Sequence, residues 1–143
     1  MKVVRKVVPL SAVLCAVLVL LTACESQEAI QKTSVTGKSV QYHVTVEELV
    51  SAYEENAIAA DQKYKGKVIQ VTGYINDFDE DIMGDPYITL CVDEYGWNCV
   101  QCSFPDSERT ALARLTKGQR VRVKGVCKGK PVINVSLEGC ALQ

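Results

Sequence analysis

The pattern of hydrophobic and polar positions predicts a helix near the middle of the chain. Apolar residues recur every three or four positions from Val46 to Ala60, which is the period of one helical face. The preceding Thr45 and the later Glu48 fit a capping box, in which the hydroxyl and the carboxylate satisfy backbone N–H groups at a helix start. We therefore predict a helix from about Val46 to Ala60, the first element of the folded part.

The rest of the chain alternates with a period of two, which is typical of strands. Five strands are predicted, over residues 68–75, 87–92, 99–104, 120–127 and 132–137. A short helix is expected after Pro105, and the acidic stretch from Asn76 to Pro86 is expected to be a loop. Gly73, within the first strand, indicates a bulge or a sharp bend.

This order of elements predicts an all-β fold with accessory helices. Three strands, a helix and two further strands are the sequence of elements in a five-stranded OB-fold, a partly open Greek-key barrel. Here the barrel is preceded by the N-terminal helix. We expect one such domain over residues 45–143.

The first residues have the composition of an export signal. Lys2, Arg5 and Lys6 form a cationic start, and an apolar stretch follows from Val7 to Leu21. A membrane-spanning helix needs about 20 apolar residues, so a permanent transmembrane segment is the weaker interpretation.

The residues Leu21-Thr22-Ala23-Cys24 close this stretch and resemble the lipobox of bacterial lipoproteins. The resemblance implies cleavage before Cys24 and acylation of its thiol, with the fatty acids, palmitate among them, holding the protein on the outer face of the cell membrane. The alternative is a chance cysteine after an ordinary signal peptide. Residues 1–23 are then a lipoprotein signal peptide, and residues 24–44, which are rich in polar side chains, a lipidated N-terminus and flexible tether.

The cysteines are relevant to the expected location outside the cell membrane, because disulfides form in oxidising compartments. Seven cysteines are present, and five remain when Cys15 and Cys24 are set aside. Strand alternation and hairpin pairing predict two disulfides, Cys91–Cys99 and Cys127–Cys140, and a buried free thiol at Cys102. A metal site built from Cys99 and Cys102 is disfavoured, because alternation puts them on opposite strand faces. We expect no metal and no cofactor.

Charge and aromatic positions supply two candidate ligand-binding surfaces. The formal net charge is −1, which offers no general attraction to a polyanion. Arg120, Arg122 and Lys124 nevertheless form a basic row on the predicted fourth strand of the barrel, and Tyr95 and Trp97 lie at the predicted hairpin tip. The only histidine, His43, falls in the predicted tether, so we expect no enzymatic activity.

The predicted domain also resembles a known family. The segments that carry the likeness are Tyr53–Asn56, Ala59–Asp61, Tyr64–Lys67, Val71–Gly73, Val100–Phe104, Leu115–Gly118, Val123–Gly125 and Leu137–Cys140. They are similar to the tRNA_anti-like family of bacterial OB-fold proteins, and the resemblance implies the fold but no activity.

A non-catalytic binding module for a protein or an envelope polymer is therefore the first functional hypothesis. Single-stranded nucleic-acid binding is the alternative, and the acidic loop disfavours it because carboxylates repel phosphate.

Overall fold

The protein is described by a computed structural model that covers residues 34–93 and 95–143. These residues belong to one compact unit, Gln31–Gln143. The predicted signal peptide, Cys24 and the first part of the predicted tether lie outside the described residues.

The described residues of this unit form six strands, two helices and a 3₁₀ turn. In chain order these are β1 (Tyr42–Thr45), α1 (Val46–Tyr64), β2 (Val68–Glu80), β3 (Pro86–Cys91), β4 (Cys99–Ser103), the 3₁₀ turn Asp106–Glu108, α2 (Arg109–Leu112), β5 (Arg120–Gly129) and β6 (Val135–Leu142). The sheet order is β1-β2-β3-β4-β6-β5, and β5 pairs back onto β2. Five strands thus close into a barrel, which confirms the predicted OB-fold.

The prediction of a flexible tether over residues 24–44 is wrong for its last part. Strand β1 pairs in parallel with residues 69–72 of β2, and the fully buried Val35 donates its backbone N–H to the carbonyl of Gly139. Strand β3 pairs only with the second half of β2, so the first half has a free edge that β1 covers. An unpaired sheet edge is a template for a further strand, and the composition of residues 24–44 does not reveal that such an edge lies beside them.

Helix α1 begins as predicted and ends four residues later. The Thr45 hydroxyl accepts from the Glu48 N–H, and the Glu48 carboxylate accepts from the Thr45 N–H, so the capping box is confirmed. The helix is kinked at Asn56, whose φ of −159° is not helical. Its apolar face is buried against the barrel core through Val46, Leu49, Val50 and Tyr53.

Gly73 has a different role from the one predicted. A Cβ at this position would lie 2.4 Å from Cγ2 of Val46, so the glycine permits the first turn of α1 to cross β2. The irregular residue is Asn76, because the pairing with β3 shifts by one residue between Ile75 and Asp77.

The predicted boundaries of two strands are also wrong. Strand β2 continues to Glu80, so residues 76–80 are not a loop; the shift at Asn76 interrupts the alternation that would have revealed them. Strand β6 runs from Val135 to Leu142, while Val132 and Ile133 are exposed in the preceding turn. Its pairing with β5 is shifted twice, which again breaks the period of two.

Candidate functional site

The hairpin of β3 and β4 is closed by a disulfide. Cys91 and Cys99 are directly opposite in the strand register, and their Cα atoms are 4.0 Å apart. The Cys91–Cys99 bond was predicted from alternation and is confirmed. It fixes the two strands at the base of the connecting turn.

The turn itself is held by Asp93. Its carboxylate oxygen accepts from the backbone N–H of Tyr95 at 3.0 Å and of Trp97 at 3.4 Å. Val92 donates its N–H to the carbonyl of Asn98 at 2.9 Å, so the backbone pairing of the hairpin continues beyond the disulfide. Gly96 takes a φ of 75°, the left-handed region that glycine enters at little cost.

Three apolar side chains project from this turn into solvent, and we name Val92, Tyr95 and Trp97 the aromatic tip. Tyr95 is 78% exposed and Trp97 is 69% exposed. Isolated exposed apolar residues are ordinary, but a cluster on a covalently closed hairpin is typical of a contact surface. The structure therefore brings together the two predicted aromatic residues on a pre-organised element.

The second predicted disulfide, Cys127–Cys140, is wrong. Cys127 lies opposite Leu137, and the register shifts of β5 and β6 leave Cys140 beside Gly125, where an added Cβ would lie 2.6 Å from its sulfur. Within the described part of the chain the free cysteines are Cys102, Cys127 and Cys140, all buried, so the free thiol predicted at Cys102 is confirmed.

Burial keeps the thiols of Cys127 and Cys140 protonated. The Tyr53 hydroxyl donates to the Asp61 carboxylate at 3.0 Å and lies 3.5 Å from the Cys127 sulfur. Burial raises the pKa of the Cys127 thiol, and burial raises the pKa of the Cys140 thiol well above its ordinary value. Because the thiolate is the reactive form, these sulfurs are poor nucleophiles.

The predicted basic row on β5 is interrupted. Arg120 and Arg122 are exposed, but Lys124 is only 8% exposed, and its ammonium donates to the carbonyl of Lys38 at 3.2 Å. The ordered segment ahead of β1 covers Lys124, so its prediction as a surface ligand contact is wrong. This contact could not be foreseen while residues 24–44 were interpreted as a tether.

The two exposed arginines line a groove with a volume of about 690 Å³. Thr72, Gln119 and Gln143 contribute polar groups to the same groove. Tyr74, which is 57% exposed, pairs with Arg120 across β2 and β5. The strand alternation around Thr72 could have identified Tyr74 as an outward aromatic residue, and it was missed.

A second cavity, of about 530 Å³, lies between the end of β2 and α2. Its cationic group, Arg109, forms ion pairs with Glu80 and Asp106 and donates to the carbonyl of Gly84. This arginine thus joins α2 to the end of β2 and to the turn that follows it, and its charge is internally compensated.

The acidic residues at the end of β2 and in the turn before β3 also have partners. Lys117 lies 2.6 Å from the Asp77 carboxylate and lowers the pKa of that group, aided by the Phe78 N–H. Asp81 accepts from the N–H groups of Met83 and Asp85, which organises the turn. Across residues 34–93 and 95–143, no group of three His, Cys, Asp or Glu side chains is arranged to hold a metal ion.

His43 lies exposed on β1, opposite Gln70. No helix in the described part of the chain is long and apolar enough to cross a bilayer.

Comparison with known proteins gives a family and a fold. A family model described as tRNA_anti-like matches residues 1–141. The chain is similar to a solved protein of Klebsiella pneumoniae subsp. pneumoniae MGH 78578 named "putative nucleic acid-binding lipoprotein", with a TM-score of 0.58 and 20% identity over 73% of this chain and 92% of that chain.

Two further solved structures are more distant. One is an OBody bound to hen egg-white lysozyme, with a TM-score of 0.43 and 16% identity over 57% of this chain and 83% of that chain. The other is yeast Stn1 and Ten1, with a TM-score of 0.40 and 11% identity over 78% of this chain and 66% of that chain. No curated protein matches the chain.

Proposed function

Because the chain belongs to the tRNA_anti-like family and has its OB-fold, we propose that it is a lipid-anchored, extracytoplasmic binding protein without catalytic activity. Its ligand in this proposal is a protein or an envelope polymer. The domain holds the ligand at the membrane surface through the aromatic tip.

The anchor is supported by two independent features. Residues 21–24 resemble a lipobox, and the similar Klebsiella protein carries the word lipoprotein in its name. Two or more acyl chains on Cys24 would hold the protein stably, whereas one chain gives only reversible attachment. The Cys91–Cys99 disulfide fits an oxidising compartment.

The observation that carries the binding proposal is the aromatic tip on a disulfide-closed hairpin. Tryptophan and tyrosine are enriched among the residues that dominate protein interfaces. The disulfide and the Asp93 hydrogen bonds fix the tip before binding, so little conformational entropy is lost when a partner covers it.

The absence of catalysis is proposed from the chemistry of the groups present. Catalytic histidines and thiols must be placed beside partners and kept reactive. Here His43 is an exposed residue on β1, and the Cys127 and Cys140 thiols are buried with raised pKa values.

Crosslinking in native membranes tests this function. The full chain would carry the photoreactive residue p-benzoylphenylalanine at Trp97, and in a matched control at Ile58, which is 75% exposed on α1. We expect a discrete adduct with an envelope protein or polymer from position 97, reduced when Tyr95 is replaced by Ser. Identical adducts from positions 97 and 58, or none from position 97, would contradict the proposal.

Nucleic-acid binding is the second candidate function. The name of the Klebsiella protein and the juxtaposition of exposed Tyr74 with Arg120 favour it, because stacking aromatics beside cations are used to hold single strands. The outward carboxylates of β2 oppose it, as does the neutral face of β3 and β4 around Thr89 and Gln101. Binding of this kind must weaken steeply as salt rises.

A further inference from the structure

Arg120 and Arg122 are the exposed part of the row on β5. Among the described residues, neither guanidinium has an ion pair or a hydrogen bond with another side chain. Arg109 and Lys117, by contrast, are paired with carboxylates. The two β5 arginines therefore present uncompensated positive charge to solvent.

The surroundings of the two arginines suit an anionic group. Alternate residues of a strand lie about 7 Å apart on one face, so both guanidinium groups can approach one phosphate cluster. Thr72 and Gln119 line the same groove and can donate hydrogen bonds. Arginine recognises phosphate through paired N–H groups, with more geometric specificity than lysine provides.

The N-terminal segment runs close to this groove. The carbonyl of Lys38 accepts from Lys124, which is two residues from Arg122 on the same strand. The ten residues that follow Cys24 and end at Ser34 can span at most about 36 Å when fully extended. A lipid on Cys24 would therefore hold the domain within about 36 Å of the bilayer, with the tether joining the domain beside Gly139 of β6.

We propose that Arg120 and Arg122 contact the phosphates of anionic phospholipid headgroups, so that the anchored domain rests on the membrane through the β5 groove. This inference depends on the proposed lipid anchor. A flat bilayer meets the groove locally, whereas a long polyanion leaving the groove along β2 would meet the outward Asp79, whose carboxylate has no ion pair among the described residues. A membrane therefore fits the charge distribution better than a nucleic-acid strand.

A fluorescence experiment on the full, lipidated chain tests the contact. A Tyr74→Cys variant would be labelled with an environment-sensitive nitrobenzoxadiazole dye. The native cysteines are protected from the dye, because three are buried, two form a disulfide and one is acylated in the proposal: Cys102, Cys127 and Cys140, then Cys91 and Cys99, then Cys24. The protein would be reconstituted in phosphatidylcholine vesicles with or without phosphatidylglycerol, each carrying a lipid with a spin-labelled headgroup. Ile58→Cys supplies the matched control position.

We expect stronger quenching at position 74 in vesicles with phosphatidylglycerol than in neutral vesicles, and no such difference at position 58. The double change Arg120→Gln and Arg122→Gln should reduce the quenching to the neutral-vesicle level, whereas Arg114→Gln should not. High salt should have the same effect as the double change, because screening weakens exposed charge contacts.

A failure of the headgroup contact and a failure of the lipid anchor would give different results. Equal quenching in both vesicle types, with the protein bound to both, would overturn the headgroup contact and leave the anchor intact. A chain that does not remain with either vesicle would overturn the anchor as well. If a labelled oligonucleotide binds through the two arginines and phosphatidylglycerol has no effect, the groove is a nucleic-acid site and the membrane contact is wrong.

Discussion

Cys91 and Cys99 show how one covalent bond can prepare a binding surface. The two cysteines are eight positions apart in the sequence, and the aromatic tip lies within the loop that their bond closes. In the unfolded chain the same bond removes conformational freedom, which is how a disulfide stabilises a fold. The Cys91–Cys99 bond thus both stabilises the fold and fixes the aromatic tip.

Replacing both residues, Cys91→Ala and Cys99→Ala, should lower the free energy of unfolding by about 2–3 kcal/mol, the loss expected for a loop of this size. Urea denaturation of the full chain measures the change. Adding a reductant to the unaltered protein should give nearly the same loss. A larger loss in the reductant would reveal a further disulfide and contradict the pairing described above.

The cysteines also show where alternation along the sequence is informative. It correctly predicts Cys91 opposite Cys99, because β3 and β4 pair without interruption. Hairpin pairing, which predicts the Cys127–Cys140 bond, fails because two register shifts in β5 and β6 displace one cysteine from the other. A bulge inserts one residue and reverses every later side chain, and nothing in a single sequence marks the insertion.

At the scale of elements, the contact between α1 and β2 decides how the N-terminal part of the fold is assembled. Strand β1 leads directly into α1, and Val46 packs on the bare backbone of Gly73. The helix then buries Leu49, Val50 and Tyr53 in the core. The sequence predicts the helix and its cap, but the need for glycine arises from a contact between distant residues.

A Gly73→Ala substitution should therefore destabilise the domain by about 1–3 kcal/mol, the range for an overpacked core. Thermal or urea unfolding measures the loss. In a Val46→Ala background the same substitution should cost much less, because the colliding methyl group is gone. An equal cost in both backgrounds would show that the Val46 contact is not the reason for the glycine.

The element order could be predicted because strands and helices differ in period, and the OB-fold followed from that order. Strand β1 was not predicted, although Tyr42 and Val44 alternate with His43 and Thr45, because it has only four residues and its pairing depends on the free edge of β2. The residues of the candidate site also separate into those that the sequence predicts and those that it does not. Tyr95, Trp97 and the two arginines are recognised by residue type, whereas the burial of Lys124 depends on a segment distant in sequence.

At the scale of the whole molecule, the surfaces differ in charge and chemistry. The β5 groove is basic, the outer side of β2 beyond Tyr74 is acidic, and the aromatic tip is apolar. A net charge of −1 conceals this division. With the proposed anchor, the basic face can rest on the bilayer while the apolar aromatic tip contacts a partner.

The proposed location of the protein and the proposed membrane contact of β5 both depend on acylation of Cys24, so the most direct measurement is mass spectrometry of the N-terminal peptide from membranes of cells that express the full chain. We predict that the mature chain begins at Cys24 and carries acyl chains, and that a Cys24→Ala variant keeps residues 1–23. An intact N-terminus with an unmodified Cys24 thiol in the unaltered protein would contradict the account.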